Sequence, residues 1–212
     1  MKYDLIIFDF DGTLANTFDW FIDALNHLAG PFNYRRIEVD EIKALRLSNA
    51  HALYKDRKVS RWKTARIAAR LRSMMAADID QISLFDGVDR LLRALDHDGV
   101  PVGIVSSNSE QNVRRILGPE LSACIDYFEC GVSVFGKAKK LKKIVKKSGV
   151  DLSRAIFVGD EIRDIGAAQK VGMPYGVVAW GYNDFDALKD TSPDAYYESV
   201  AELIEKNRYP DG

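Results

Sequence analysis

The sequence predicts an α/β protein, a doubly wound parallel sheet carrying an inserted all-helical subdomain. Three observations point there. From about residue 86 onward, short apolar runs alternate with amphipathic helical patterns, and that alternation builds parallel sheets. The first apolar run, at the amino terminus, is separated from the others by roughly 70 residues of helical periodicity. Acidic, hydroxyl and lysine residues lie just beyond the strand-like runs, where sheets of this kind bind ligands.

The elements follow in order. "YDLIIFDF" (Tyr3 to Phe10) is apolar, ends in acid and meets Gly12, which reads as a buried strand. Phe18, Phe21, Ile22, Leu25 and Leu28 share one helix face, and Gly30-Pro31 breaks that helix. Trp62, Ala65, Arg66, Ala69 and Leu71 to Met75 suggest a second long helix. After Asp86-Gly87, Val88, Leu91, Leu92 and Leu95 mark a helix that Gly99 stops. "VPVGIVSS" (Val100 to Ser107) is a strand, and a helix follows around Gln111 to Leu117. "YFECGVSV" is a weaker extended run, and Lys137 to Lys147 is an amphipathic helix with Leu141, Ile144 and Val145 on its inner face. "RAIFVGD" (Arg154 to Asp160) is a strand, Ile162 to Val171 a helix ended by Gly172, and "YGVVAW" a strand. "DAYYES" makes a last strand before a terminal helix. The division is a Rossmann-like core of residues 1–14 and 86–212, with 15–85 inserted.

Composition narrows the function. The chain has 212 residues, 47% hydrophobic and 29% charged, as in ordinary soluble proteins. A net charge of −1 gives no general attraction to nucleic acid or anionic membrane. No apolar run approaches the roughly 20 residues that span a bilayer. Asp4 and Asp9 interrupt the amino-terminal run, which argues against a signal peptide. Cys124 and Cys130 have neither metal-site nor disulfide spacing, as expected of free thiols in a reducing cytoplasm. The lysine-rich helix has no aromatic interleaving and reads as a solvated face.

The strand ends carry the chemistry. The first strand ends in "DFDGT", with Asp9, Asp11 and Thr13; another ends in "SSN", with Ser106, Ser107 and Asn108; a third ends in "GDEIRD", with Asp160 and Asp164. Lys137 opens the helix after the weak strand. Its setting, "GVSVFGK", imitates a phosphate-binding loop, but Ala138 stands where a metal-binding hydroxyl belongs. Period-two alternation sends Asp9 and Asp11 to one side and Phe10 to the other. Two carboxylates about 4 Å apart repel by roughly 4 kcal/mol at an effective dielectric near 20. Several converging acids therefore call for a cation, and hard oxygen ligands favour Mg²⁺. Taken singly, each piece has a plain reading: a turn, an N-cap, a solvated lysine. Four such pieces at the ends of four strands suit phosphoryl transfer, with a carboxylate to attack, a metal and a lysine to neutralise, and a carboxyl to move protons.

At these residues the chain resembles the haloacid dehalogenase-like superfamily of phosphatases. "DFDGTL" is similar to its first motif, "VGIVSSN" to its second, Lys137 to its third (with Lys139 and Lys140 as rivals) and "GDEIRD" to its fourth. The resemblance implies that Asp9 is the nucleophile and forms an aspartyl-phosphate, and that Asp11 is the general acid and base. It implies Mg²⁺ held by Asp9, the Asp11 backbone carbonyl and Asp160, with Asp164 supporting the metal's waters or orienting Lys137. Ser106, or Ser107 as a one-residue alternative, would hold the phosphoryl group, together with backbone near Gly12. Gly12, Thr13, Ser107 and Asn108 are expected around the substrate. The insert resembles the helical cap of the phosphoglycolate-phosphatase-like branch, which implies a small phosphorylated metabolite as partner. Within the cap, Arg46 is the first candidate for a substrate-anion contact, followed by His51 and Lys63.

Asp11 argues against carbon–halogen chemistry. A sugar-phosphate mutase shares the motifs. A phosphonate-cleaving relative would need a reactive cap lysine, for which Lys55, Lys58 and Lys63 are the candidates. A phosphate-sensing or receiver-like signalling domain also clusters Asp, Ser or Thr and Lys, but the long insert and the late "GDEIRD" do not match a receiver.

Overall fold

The computed structural model describes residues 2–47, 60–131 and 136–208. Among them, six parallel strands form one sheet in the order β5-β4-β1-β6-β7-β8. These are β1 (Leu5–Phe8), β4 (Val102–Val105), β5 (Tyr127–Glu129), β6 (Ala155–Gly159), β7 (Tyr175–Val178) and β8 (Ala195–Tyr197). Every strand predicted from the sequence is present, shortened at its ends. The four strands associated with the motifs, β5, β4, β1 and β6, are neighbours. Sheet order therefore converts four distant sequence stretches into one edge.

The alternation of β1 sorts its residues between two cores. Ile6 and Phe8 face one cluster with Ile104, Val158, Leu91, Val113 and Leu203. Leu5 and Ile7 face the other, with Val105, Leu141, Phe157 and Ile165. Helices α4 (Val88–His97), α5 (Glu110–Ala123) and α9 (Val200–Arg208) supply the first layer. Helices α6 (Lys137–Ser148), α7 (Ile162–Gln169) and the short α8 (Phe185–Lys189) supply the second. Helix α5 runs past its expected end at Leu117. Its backbone leaves helical geometry at Gly118 (φ 72°) and resumes with Pro119, whose fixed φ suits a first helical turn.

Residues 15–85 contribute helices α1 (Phe18–Leu28), α2 (Val39–Leu47) and α3 (Arg61–Ala77). Ile22, Leu25, Leu28, Ile37, Ile67 and Leu71 bury one another in a third core. A feature the sequence hid is a two-residue antiparallel pair, β2 (Ala15–Asn16) with β3 (Ser83–Leu84). It ties the exit of this helical segment to its return.

Beside the sheet edge, Glu129 is buried at the end of β5 and carries three lysines of α6. Its partners are Lys140 at 2.7 Å, Lys143 at 2.6 Å and Lys147 at 3.1 Å. Burial alone would push this carboxyl up, but hydrogen bonds from the three lysines outweigh it and hold the group at about 2. A depressed carboxyl stabilises the fold fully above its unfolded value, and that stability is lost as pH falls through the folded one. Glu129→Gln is expected to cost about 1–3 kcal/mol at neutral pH. In urea unfolding, the gap to wild type should narrow as pH falls from about 4.5 towards 2. A gap independent of pH would contradict the charge-based account.

Candidate active site

The chain leaves β1 at Phe8, and Asp9 still donates its backbone N–H to Val158 O at 2.9 Å. That last register contact holds Asp9 at the carboxyl edge. Phe10 turns into the core, fully buried, as the alternation predicts. Gly12 follows with φ +85°, and a Cβ there would lie 2.2 Å from Asp160 Oδ2, so only glycine fits.

Lys137, the first residue of α6, is 3% exposed and donates to both Asp9 Oδ2 and Asp164 Oδ1 at 2.5 Å. The other Asp9 oxygen accepts from Phe10 N–H at 2.8 Å. Lys139 is exposed and Lys140 is paired with Glu129, so of the three rivals Lys137 alone reaches these acids. Lys137 thus serves a carboxylate cluster, with Gly136 as the N-cap before it, while 132–135 of the loop-like stretch lie outside the described residues.

Asp160 follows β6 and is fully buried. Its Oδ1 accepts from Thr13 Oγ1 at 2.7 Å and its Oδ2 from Tyr182 N–H at 2.8 Å. Asp164 sits in the first turn of α7 and accepts from Glu161 N–H at 3.3 Å, so the "GDEIRD" spacing caps the helix and aims the acid together. Asp11 accepts from Ser106 Oγ and from Asn108 Nδ2, both at 3.2 Å. Ser106 is fully buried and also accepts from Asn108 N–H at 2.9 Å. The Ser107 carbonyl instead accepts from Arg72 at 3.4 Å. Of the two serines, Ser106 is the one whose described hydroxyl contact reaches Asp11.

Three buried acids, Asp9, Asp160 and Asp164, each offer an oxygen, all within 4.8 Å of one another. Burial pushes Asp9 up to about 7; Lys137 opposes this and Asp164 adds to it. Asp160 is raised well above its ordinary value by burial and by the charges of Glu161, Asp9 and Asp164. Burial would lower Lys137, but Asp164 and Asp9 overcome that and raise it. This all-oxygen, cation-seeking cluster fits a small divalent metal such as Mg²⁺. Burial also raises Asp11, against hydrogen bonds from Ser106 and Asn108, which favours a proton there.

Other expected positions fall differently. The Thr13 hydroxyl is spent on Asp160, and the Gly12 N–H on Ala15 O at 2.9 Å. Arg46, in α2, donates to Gly181 O at 3.0 Å and lies over the Phe18 ring at 4.0 Å. Lys63 lies in the first turn of α3, while His51, Lys55 and Lys58 lie outside the described residues. The sequence reading missed Tyr182, Asn183, Glu161 and Arg163. Glu161 and Arg163 pair at 2.5 Å inside the fourth motif. Tyr182 and Asn183 follow β7, so the strand-end rule applied to that strand was the available signal.

A six-stranded parallel sheet with an acid-lysine cluster at its carboxyl edge defines a class, and comparison with known proteins agrees with it. The haloacid dehalogenase-like hydrolase family matches residues 6–178, and the chain belongs to it. A phosphoglycolate phosphatase from Synechococcus elongatus is 31% identical over 201 residues, covering 94% of this chain and 95% of that protein. A pyrophosphatase PpaX from Bacillus cereus is 23% identical, covering 96% of each. Among solved structures, CbbY from Rhodobacter sphaeroides in complex with phosphate superposes with a TM-score of 0.75 at 19% identity, covering 95% of this chain and 96% of that one. The protein is a hydrolase of the phosphoglycolate-phosphatase-like branch.

Lys137→Met leaves Asp9 and Asp164 without their buried partner, at an expected cost of about 3–5 kcal/mol. Burial raises Asp9 to about 7 even with Lys137 opposing it, and a raised carboxyl loses stability as pH rises through its folded value, so the deficit should be largest above pH of about 7. Urea unfolding between pH 5 and 8 measures this; a cost below about 1 kcal/mol throughout would contradict a buried ion cluster.

Proposed function

We propose that the protein is a Mg²⁺-dependent phosphatase that hydrolyses a small phosphomonoester through an aspartyl-phosphate on Asp9. The observation that carries this reading is the convergence of Asp9, Asp11, Ser106, Lys137, Asp160 and Asp164 at one sheet edge. Asp9, Asp160 and Asp164 would hold the metal with the Asp11 backbone carbonyl. Bound there, Mg²⁺ would supply charge neutralisation for the phosphoryl oxygens.

The chain's own groups do the rest. An Asp9 carboxylate oxygen attacks phosphorus, and the bond from phosphorus to the leaving oxygen breaks. Asp11, whose carboxyl desolvation raises above its ordinary value, would give that oxygen its proton. A water then attacks the acyl-phosphate, Asp11 takes its proton, and phosphate leaves Asp9 as a free carboxylate. Lys137 holds Asp9 in place and offsets charge on the transferred group. Ser106, whose hydroxyl donates to Asp11 in the structure, would turn to donate to the phosphoryl group, a role its position beside Asp11 supports.

Residues 15–85 act as a helical cap over the core, a reading supported by their separate hydrophobic cluster and by the paired β2–β3 hinge. Such a cap excludes water and favours a small metabolite. The named relatives make 2-phosphoglycolate the first substrate to try. A cytoplasmic location fits the two free thiols, Cys124 and Cys130, which a reducing compartment maintains.

Hydrolysis of 2-phosphoglycolate, pyrophosphate, sugar phosphates and p-nitrophenyl phosphate is expected to require Mg²⁺. Asp9→Asn should reduce it at least 1,000-fold, or about 4 kcal/mol of barrier. Turnover retained in Asp9→Asn, or equal turnover in chelator, would contradict the mechanism.

A further inference from the structure

Beyond β7, residues Gly181 to Asp184 touch Asp160 and the helical segment at the same time. On the core side, a Cβ on Gly181 would lie 2.1 Å from Asp160 Cβ, so the backbone is pressed directly against that acid. Tyr182 N–H donates to Asp160 Oδ2 at 2.8 Å and Asn183 N–H to Asp160 O at 3.2 Å. Asn183 Oδ1 also accepts from Ile162 N–H at 3.0 Å, at the start of the helix that carries Asp164.

On the other side, the same four residues grip Arg46. Its carbonyl, in the last described turn of α2, accepts from Asn183 Nδ2 at 2.9 Å and Asp184 N–H at 2.6 Å. Its guanidinium returns a bond to Gly181 O at 3.0 Å while stacking on Phe18. The buried Tyr182 hydroxyl shares a hydrogen bond with Thr17 at 2.8 Å, and its ring meets Phe18 edge-on at 5.1 Å and Phe21 at 5.6 Å. Gly181, Tyr182 and Asn183 thus each meet both sides, and among the described residues Asp184 bonds Arg46 and its own helix.

We propose that Gly181–Asp184 is a latch that couples the seating of α2 to the orientation of the Asp160 carboxylate, with Arg46 and Asn183 as positioning residues. Asp160 has both oxygens assigned, one to Thr13 and one to the latch. Shifting α2 away from the loop pulls on the peptide that orients Oδ2. Seating α2 completes the metal-binding geometry, so closure over a substrate and readiness for chemistry become one event. Arg46 acts through main-chain carbonyls here, in place of the substrate-anion contact expected from its residue type. The inference rests on the metal-dependent reading of the site.

The test is Mg²⁺ binding to the 212-residue chain by calorimetry without substrate, for wild type, Arg46→Met, Asn183→Ala and the double variant. Each is checked for a wild-type circular dichroism spectrum. Outer partners of metal ligands typically contribute about 10-fold or more in affinity. Each single variant is expected to weaken Mg²⁺ binding roughly 10-fold, the double variant little further, and kcat to fall for every phosphomonoester tried. Arg46→Met keeps the side-chain stem and the backbone, so it remains informative if Asn183→Ala does not fold. Wild-type Mg²⁺ affinity in Arg46→Met, with KM raised only for carboxylate-bearing substrates, would overturn the latch and make Arg46 an anion contact. Wild-type affinity and kcat in both variants would overturn it outright. Failure of wild type itself to bind Mg²⁺ would remove the metal-dependent reading and the latch together, an outcome distinct from either.

Discussion

The buried ammonium of Lys137, held between Asp9 and Asp164, is the interaction on which the rest of the site depends. Buried carboxylates this close repel one another strongly, and a single lysine between two of them offsets only part of that charge. The deficit shows in Asp9 and Asp160, both raised by burial and by neighbouring acids. A site left short of positive charge is poised to accept a divalent cation. The fold maintains this costly arrangement because β1 and β6, which deliver Asp9 and Asp160, are buried along their whole length and fix where the acids emerge.

Around that centre, the surrounding bonds assign each acid a separate task. Asp11 is kept apart from the lysine and faces Ser106 and Asn108, in surroundings that favour its proton. Asp160 is fixed by Thr13 and the peptide of Tyr182. Asp164 closes the cap of α7 while receiving Lys137. Chemically alike carboxyls thus acquire different neighbours from packing alone.

Much of this was legible in the sequence, because buried strands announce themselves as apolar runs and the acids follow them directly. Asp9, Asp11, Asp160 and Asp164 could be placed at one edge without knowing any distance, whereas Ser106 against Ser107, and Lys137 against Lys139 or Lys140, stayed open until the contacts were known. Less legible were contacts that depend on how helices outside the sheet are seated. Helix α2 buries no residue of its own, so its periodicity is weak, and the role of Arg46 rests on a backbone carbonyl that no residue type reveals. The three-lysine cradle of Glu129 was equally hidden, since spacing alone cannot separate a paired lysine from a solvated one. The β2–β3 pair, two residues per strand, is too short to leave a pattern.

The central claim is that Asp9 carries the phosphoryl group while Asp11 governs its release. The direct measurement is acid-quenched mass spectrometry of Asp11→Asn during incubation with substrate and Mg²⁺. The account predicts a peptide containing Asp9 heavier by one phosphoryl group, absent from Asp9→Asn. Robust turnover with no phosphorylated peptide in any variant would contradict it and point to direct attack by water.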